Sequence, residues 1–120
     1  MSAGRQSGLP KVPDRQDLSK DRLAAVEAAW AKLDVNGRGC VTLDIFEEKY
    51  QAQNHPRVQL GQLTEDGAVD AAVNKLESLC PTVRREGLVR LDDFAKYYAA
   101  VGAHIKADAH FLLLVDSAWK

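Results

Sequence analysis

Neither sign of charge dominates this chain: 16 lysines and arginines stand against 17 aspartates and glutamates, for a formal net charge of -1 over 120 residues. Nucleic acid and anionic membrane surfaces call for a basic excess, so neither is expected as a partner. Cysteine is scarce, since Cys40 and Cys80 are too few for a disulfide scaffold and have no metal-ligand spacing. They are expected as free thiols in a reducing compartment, which makes the cytoplasm the expected location. No apolar run is long enough to span a bilayer, and none follows Arg5 as a secretory signal would require. Ser2 after Met1 excludes N-myristoylation. His55, His104 and His110 have no metal-ligand spacing, and no phosphate loop, nucleophile elbow or HExxH pattern occurs. Enzymatic chemistry is therefore not expected.

What the chain does hold is a small-domain composition, 46% hydrophobic and 28% charged. Its organising stretch is Leu33 to Phe46, LDVNGRGCVTLDIF. Asp34 at loop position 1, Asn36 at 3, Gly39 at 6 and Val41 at 8 form the skeleton of a helix-loop-helix calcium loop. Gly39 falls where the chain turns with positive φ, and Val41 where two such loops pair as a short ribbon. The candidate ligands are Asp34, Asn36, the Cys40 carbonyl and Thr42. Position 5, however, carries Arg38, and position 12 carries Ile45 where a bidentate glutamate should close the cage.

Flanking segments fit this frame. Met1 to Asp17 holds Pro10 and Pro13 and few apolar side chains beyond Leu9 and Val12, which predicts an extended, disordered arm over residues 1-18. Ser19 caps a helix bearing Leu23, Val26, Trp30 and Leu33 at helical spacing. Leu43, Phe46 and Tyr50 mark an exiting helix that should run to about Asn54, before Pro56. A linker over 54-63 leads to Thr64, the cap of a third helix that Pro81 ends.

The segment TVRREGLVRLDDF repeats the loop skeleton, with Gly87 at position 6, Val89 at 8 and Asp93 at 12. The duplication predicts two hands, about 20-53 and 64-101, joined by a ribbon of Cys40 to Thr42 against Leu88 to Arg90. Thr82, Glu86 and Asp93 are the second loop's candidate ligands. Leu91, Phe94, Tyr97, Tyr98 and Val101 mark a fourth helix ending near Gly102, and a last helix over about 107-119 takes Asp108 as its cap. The expected fold class is all-α: a pair of helix-loop-helix hands forming one lobe, a two-stranded loop ribbon, an extra C-terminal helix and the N-terminal arm.

Several of these motifs together resemble the carboxy-terminal half of calcyphosine-like EF-hand proteins. They are Asp34 to Thr42, His55-Pro56-Arg57-Val58 with Gly61 and Thr64-Glu65-Asp66, Gly87 to Phe94, Tyr97-Tyr98, and Ser117-Ala118-Trp119. The match covers roughly Leu23 to Lys120 and implies a calmodulin-lobe-like pair of hands. It departs from the family at Arg38 and Ile45, and the preceding pair of hands is replaced by the proline-containing arm.

Ca²⁺ takes about 6 to 8 oxygens, several of them carboxylate. The first loop offers few and adds a guanidinium, and the second places Arg84 at position 3. Low affinity at best is expected, with arginines standing in for the cation through Arg38 to Asp34 and Arg84 to Glu86 or Asp93. The expected function is a non-enzymatic, largely calcium-independent interaction protein within a larger assembly. By analogy with paired hands that carry tails, the assembly is a ciliary or flagellar doublet microtubule, with tubulin or other axonemal proteins as partners. Leu9, Val12, Leu112, Leu113 and Trp119 are the candidate partner-binding residues, although Trp119 and its neighbours could equally plug the protein's own groove. The competing reading is a calcium sensor or buffer that uses the second loop.

Overall fold

The computed structural model describes residues 15-120. A 3-10 turn, Arg15–Asp17, precedes helix α1, Lys20–Leu33. Strand β1, Cys40–Thr42, runs directly into α2, Leu43–Lys49. A second 3-10 turn, Ala52–Asn54, and the short α3, Pro56–Gln59, lead to α4, Glu65–Leu79. Then come α5, Pro81–Glu86, strand β2, Leu88–Arg90, α6, Leu91–Gly102, and α7, Asp108–Ala118. The expected all-α class with one small ribbon is what the chain adopts.

Local chemistry sets most of these boundaries. Ser19 Oγ accepts from the Arg22 N–H and Thr64 Oγ from the Gly67 N–H, so each occupies a donor the helix start leaves open. The ribbon pairs antiparallel, with Cys40 opposite Arg90, Val41 opposite Val89 and Thr42 opposite Leu88. That is the expected register. Val41 and Val89 are both buried, so the ribbon turns one face of each hand onto a common core.

Some helix boundaries differ from the expected ones. The exiting helix does not reach Asn54: α2 ends at Lys49, and the chain continues as a 3-10 turn whose Gln51 N–H bonds the Ala118 carbonyl. Within the linker, Pro56 at the first turn and His55 as cap start α3. Asp108 is not the cap of α7; Ala107 holds that position, and Asp108 pairs with Arg22 instead. Gly102 is the last residue of α6, where that helix was expected to end, and its φ is not positive. An added Cβ there would lie 2.8 Å from Phe111 Cε2 and 2.9 Å from Arg22 NH1, so glycine serves close packing.

At the centre lies an aromatic cluster contributed by several helices. Phe46 and Phe94 are fully buried, with ring centroids 6.5 Å apart. Trp30 packs on Phe94 at 5.5 Å, and Tyr98 packs on Phe94 at 5.2 Å and on Phe111 at 6.1 Å. Burying rings of this size supplies most of a small domain's cohesion, at about 25 cal/mol per Å² of apolar area. Leu18 joins the same core, and Arg15 bridges Glu27 at 2.7 Å and Asp92 at 3.0 Å. The end of the stretch read as an arm is thus fastened to α1 and α6. Leu9 and Val12 lie outside the described residues.

Candidate functional site

In the first loop, Asp34 organises the backbone. Its Oδ1 accepts from the Arg38 N–H at 2.9 Å and its Oδ2 from the Gly39 N–H at 2.8 Å, while Gly39 turns with φ of 89°. The turn has the shape the spacing predicts. Its oxygens are few, however: Thr42 Oγ caps α2 by accepting from the Ile45 N–H, and Ile45 packs against the core where a closing carboxylate would be needed. Asn36 is exposed beside a hollow of about 290 Å³ that Asp34, Arg38, Cys40 and Thr42 also line. The expected ion pair between Arg38 and Asp34 is not made; Arg38 reaches that carboxylate through its backbone N–H and not its guanidinium.

The second loop departs further. Residues 81-86 form α5, because Pro81 suits a first helical turn and Arg84 and Arg85 suit the negative end of its dipole. Gly87, with φ of 71°, closes that helix by donating its N–H to the Val83 carbonyl at 2.8 Å. Thr82 and Glu86 therefore sit on a helix and not on an open loop. Asp93 Oδ2 accepts from the Arg90 N–H at 3.0 Å, in a capping box at the start of α6. Glu86 pairs with Arg90 at 3.2 Å and not with Arg84. Among the described residues no group of three His, Cys, Asp or Glu side chains could hold a metal ion. Neither donor set fits a calcium cage of about 6 to 8 oxygens.

The candidate partner-binding residues separate. Leu113 is 65% exposed, whereas Leu112 is half-buried against the core. Trp119 is 2% exposed and packs on Phe46 at 5.1 Å, Tyr50 at 5.4 Å and Phe94 at 5.4 Å. Its Nε1–H donates to the Tyr98 hydroxyl at 2.6 Å. The ring plugs the protein's own core and offers no face to a partner. Asn54 Nδ2 holds the end of the same helix by donating to the Ser117 carbonyl at 2.8 Å.

Beside α7 a cavity of about 680 Å³ remains open between α4, α6 and the linker. Sequence reasoning missed it. Its one legible trace is Ala68, Ala71 and Ala72, small residues on a single face of α4. The thiol of Cys80 is inert by contrast: burial, then the Asp93 charge, push its pKa up to about 11.

No family model matches the sequence. Over 105 residues, 88% of the chain, it is 33% identical to Crustacean calcium-binding protein 23 of Faxonius limosus. That stretch is 50% of the relative, so the chain spans about half of its length. Two helix-loop-helix units joined by an antiparallel loop ribbon give this chain an EF-hand-like fold, and its sequence is similar over most of its length to part of a calcium-binding relative.

Proposed function

We propose that the chain is a non-enzymatic EF-hand interaction module whose hands are held by packing and hydrogen bonds, largely without calcium, as one component of a larger assembly. One observation carries this reading: where a second metal loop would lie, residues 81-86 are helical and Asp93 is committed to the Arg90 backbone. The motifs from His55-Pro56 to Ser117-Ala118-Trp119 support a calcyphosine-like lineage within the EF-hand type. An axonemal doublet as the assembly, with tubulin or its neighbours as contacts, rests on analogy alone.

The test is thermal unfolding in chelator and then in saturating calcium. An unchanged Tm is expected. A ligand at a hundred times its Kd adds about 2.7 kcal/mol, so a rise of about 10 °C would overturn the reading. The assembly is tested by comparing what co-purifies with the full chain, with a variant lacking residues 1-14, and with Leu113→Asp. Loss of the same proteins from either variant is expected. Absence of the chain from detergent-extracted axonemes would remove the doublet from the proposal.

A second reading has one observation in its favour. The relative is named a calcium-binding protein, and the first loop keeps the Asp34 to Gly39 turn. Weak binding there, through Asp34, Asn36 and the Cys40 carbonyl, would move the Gly39 amide resonance and leave that of Gly87 in place.

A further inference from the structure

The cavity between α4, α6 and α7 has an unusual complement of polar groups. Tyr97 is 7% exposed and lines it, yet its hydroxyl makes no hydrogen bond among the described residues. That hydroxyl is not sealed off, because among the described residues no fully buried side-chain oxygen or nitrogen lacks a partner. An atom entering the cavity is the partner it can take. Tyr50 lines the same space, and its phenol also makes no hydrogen bond among the described residues.

Charge in the lining is of one sign. Among the described residues, Arg57 and Lys75 contribute exposed cations that form no ion pair, and no aspartate or glutamate lines the cavity. His55 is already committed, since its Nδ1 accepts from the Arg57 N–H at 3.1 Å. Asn54 is committed to the Ser117 carbonyl. The remainder is chiefly apolar, from the alanines of α4 together with Val101, Ile105 and Leu114. The volume falls within the roughly 300 to 1,000 Å³ of small-molecule sites.

We propose that this cavity binds a small amphipathic carboxylate, an acid group on an apolar tail. The carboxylate accepts from the Tyr97 and Tyr50 hydroxyls and is neutralised by Lys75 and Arg57, while the tail lies over the alanines, Val101 and Leu114. An anion suits the lining because its two unpartnered phenols can donate and the charged side chains that line it are cations with no carboxylate beside them. A slender chain is favoured over a docked helix because Tyr97 as a residue is only 7% exposed, and a helix about 10 Å across would reach little of it. The chain's own residues 1-14 fit poorly, as Arg5 and Lys11 outnumber Asp14.

The experiment uses the full chain and three probes: dodecanoate, dodecanol with nearly the same tail and no charge, and acetate with the charge and no tail. Calorimetry gives affinity, and amide NMR shifts give the place. Dodecanoate should bind at least tenfold more tightly than either control and shift residues of α4, α6 and α7. Tyr97→Phe and Lys75→Gln should each weaken it several-fold. Ala71→Leu, which fills the hollow from an exposed position, should block binding with Tm unchanged. Equal binding of dodecanol, shifts confined to another face, or undiminished affinity in Tyr97→Phe would each overturn the assignment. An acidic amphipathic helical peptide that bound more tightly at the same residues would overturn it in favour of a protein ligand.

Discussion

Arg22 Nε donates to Asp108 Oδ1 at 2.6 Å, joining α1 to the first residue of α7 across 86 positions of sequence. The same guanidinium donates to the Gly102 carbonyl at 3.0 Å and the Ile105 carbonyl at 2.7 Å, and lies 4.6 Å from the centre of the Phe111 ring. It therefore satisfies carbonyls at the end of α6, where the helix dipole favours a cation. Planarity matters, because only a forked donor reaches all three acceptors at once.

Arg22→Lys should thus cost about 2 to 3 kcal/mol, since an ammonium leaves partly buried carbonyls unpaired. Asp108→Asn should cost under about 1 kcal/mol, because that carboxylate is half exposed. Urea unfolding of both variants checks the ranking. Equal losses would mean that the ion pair, and not the carbonyl contacts, holds α7.

Tyr98→Phe should destabilise by about 1 to 3 kcal/mol, because it leaves the buried Trp119 indole N–H without an acceptor. Trp119→Ala should cost about 3 to 5 kcal/mol by opening a void among Phe46, Tyr50 and Phe94. In the double variant the losses should fall short of additive, as the orphaned N–H is gone. Strict additivity would argue against the hydrogen bond.

Helix propensity alone predicts that Gly102→Ala stabilises by up to about 1 kcal/mol. The crowding by Phe111 and Arg22 predicts the reverse, a loss of about 1 to 3 kcal/mol. Adding Phe111→Leu should recover part of that loss, a result that packing explains and propensity does not.

His55 gives the fold a pH dependence of known sign. Burial, and then the Arg57 charge, hold its pKa below the ordinary 6.5, and protonation at Nδ1 would end its acceptance from the Arg57 N–H. With the folded value depressed, the unfolded chain binds the proton more readily. Its stabilising contribution is therefore present above pH 6.5 and is lost as pH falls from there through the folded value. His55→Gln should flatten that part of the stability profile; an unchanged slope would remove His55 as its source.

Short-range spacing determined much of this protein. The ribbon register from Cys40 to Thr42 against Leu88 to Arg90, the caps at Ser19 and Thr64, the stop at Pro81 and the core stripes Phe46 with Phe94, Tyr97 and Tyr98 all depend on residues a few positions apart. Such signals survive in any environment that buries one helix face. Gly87 shows the limit, since a left-handed residue serves a metal loop and a helix cap equally well. Only the surrounding structure chose the cap, with Asp93 and Glu86 both paired to Arg90. The burial of Trp119, the Arg22 clamp and the cavity around Tyr97 were likewise decided by tertiary structure. Each depends on which side chain arrives from tens of residues away to fill a space or leave it open.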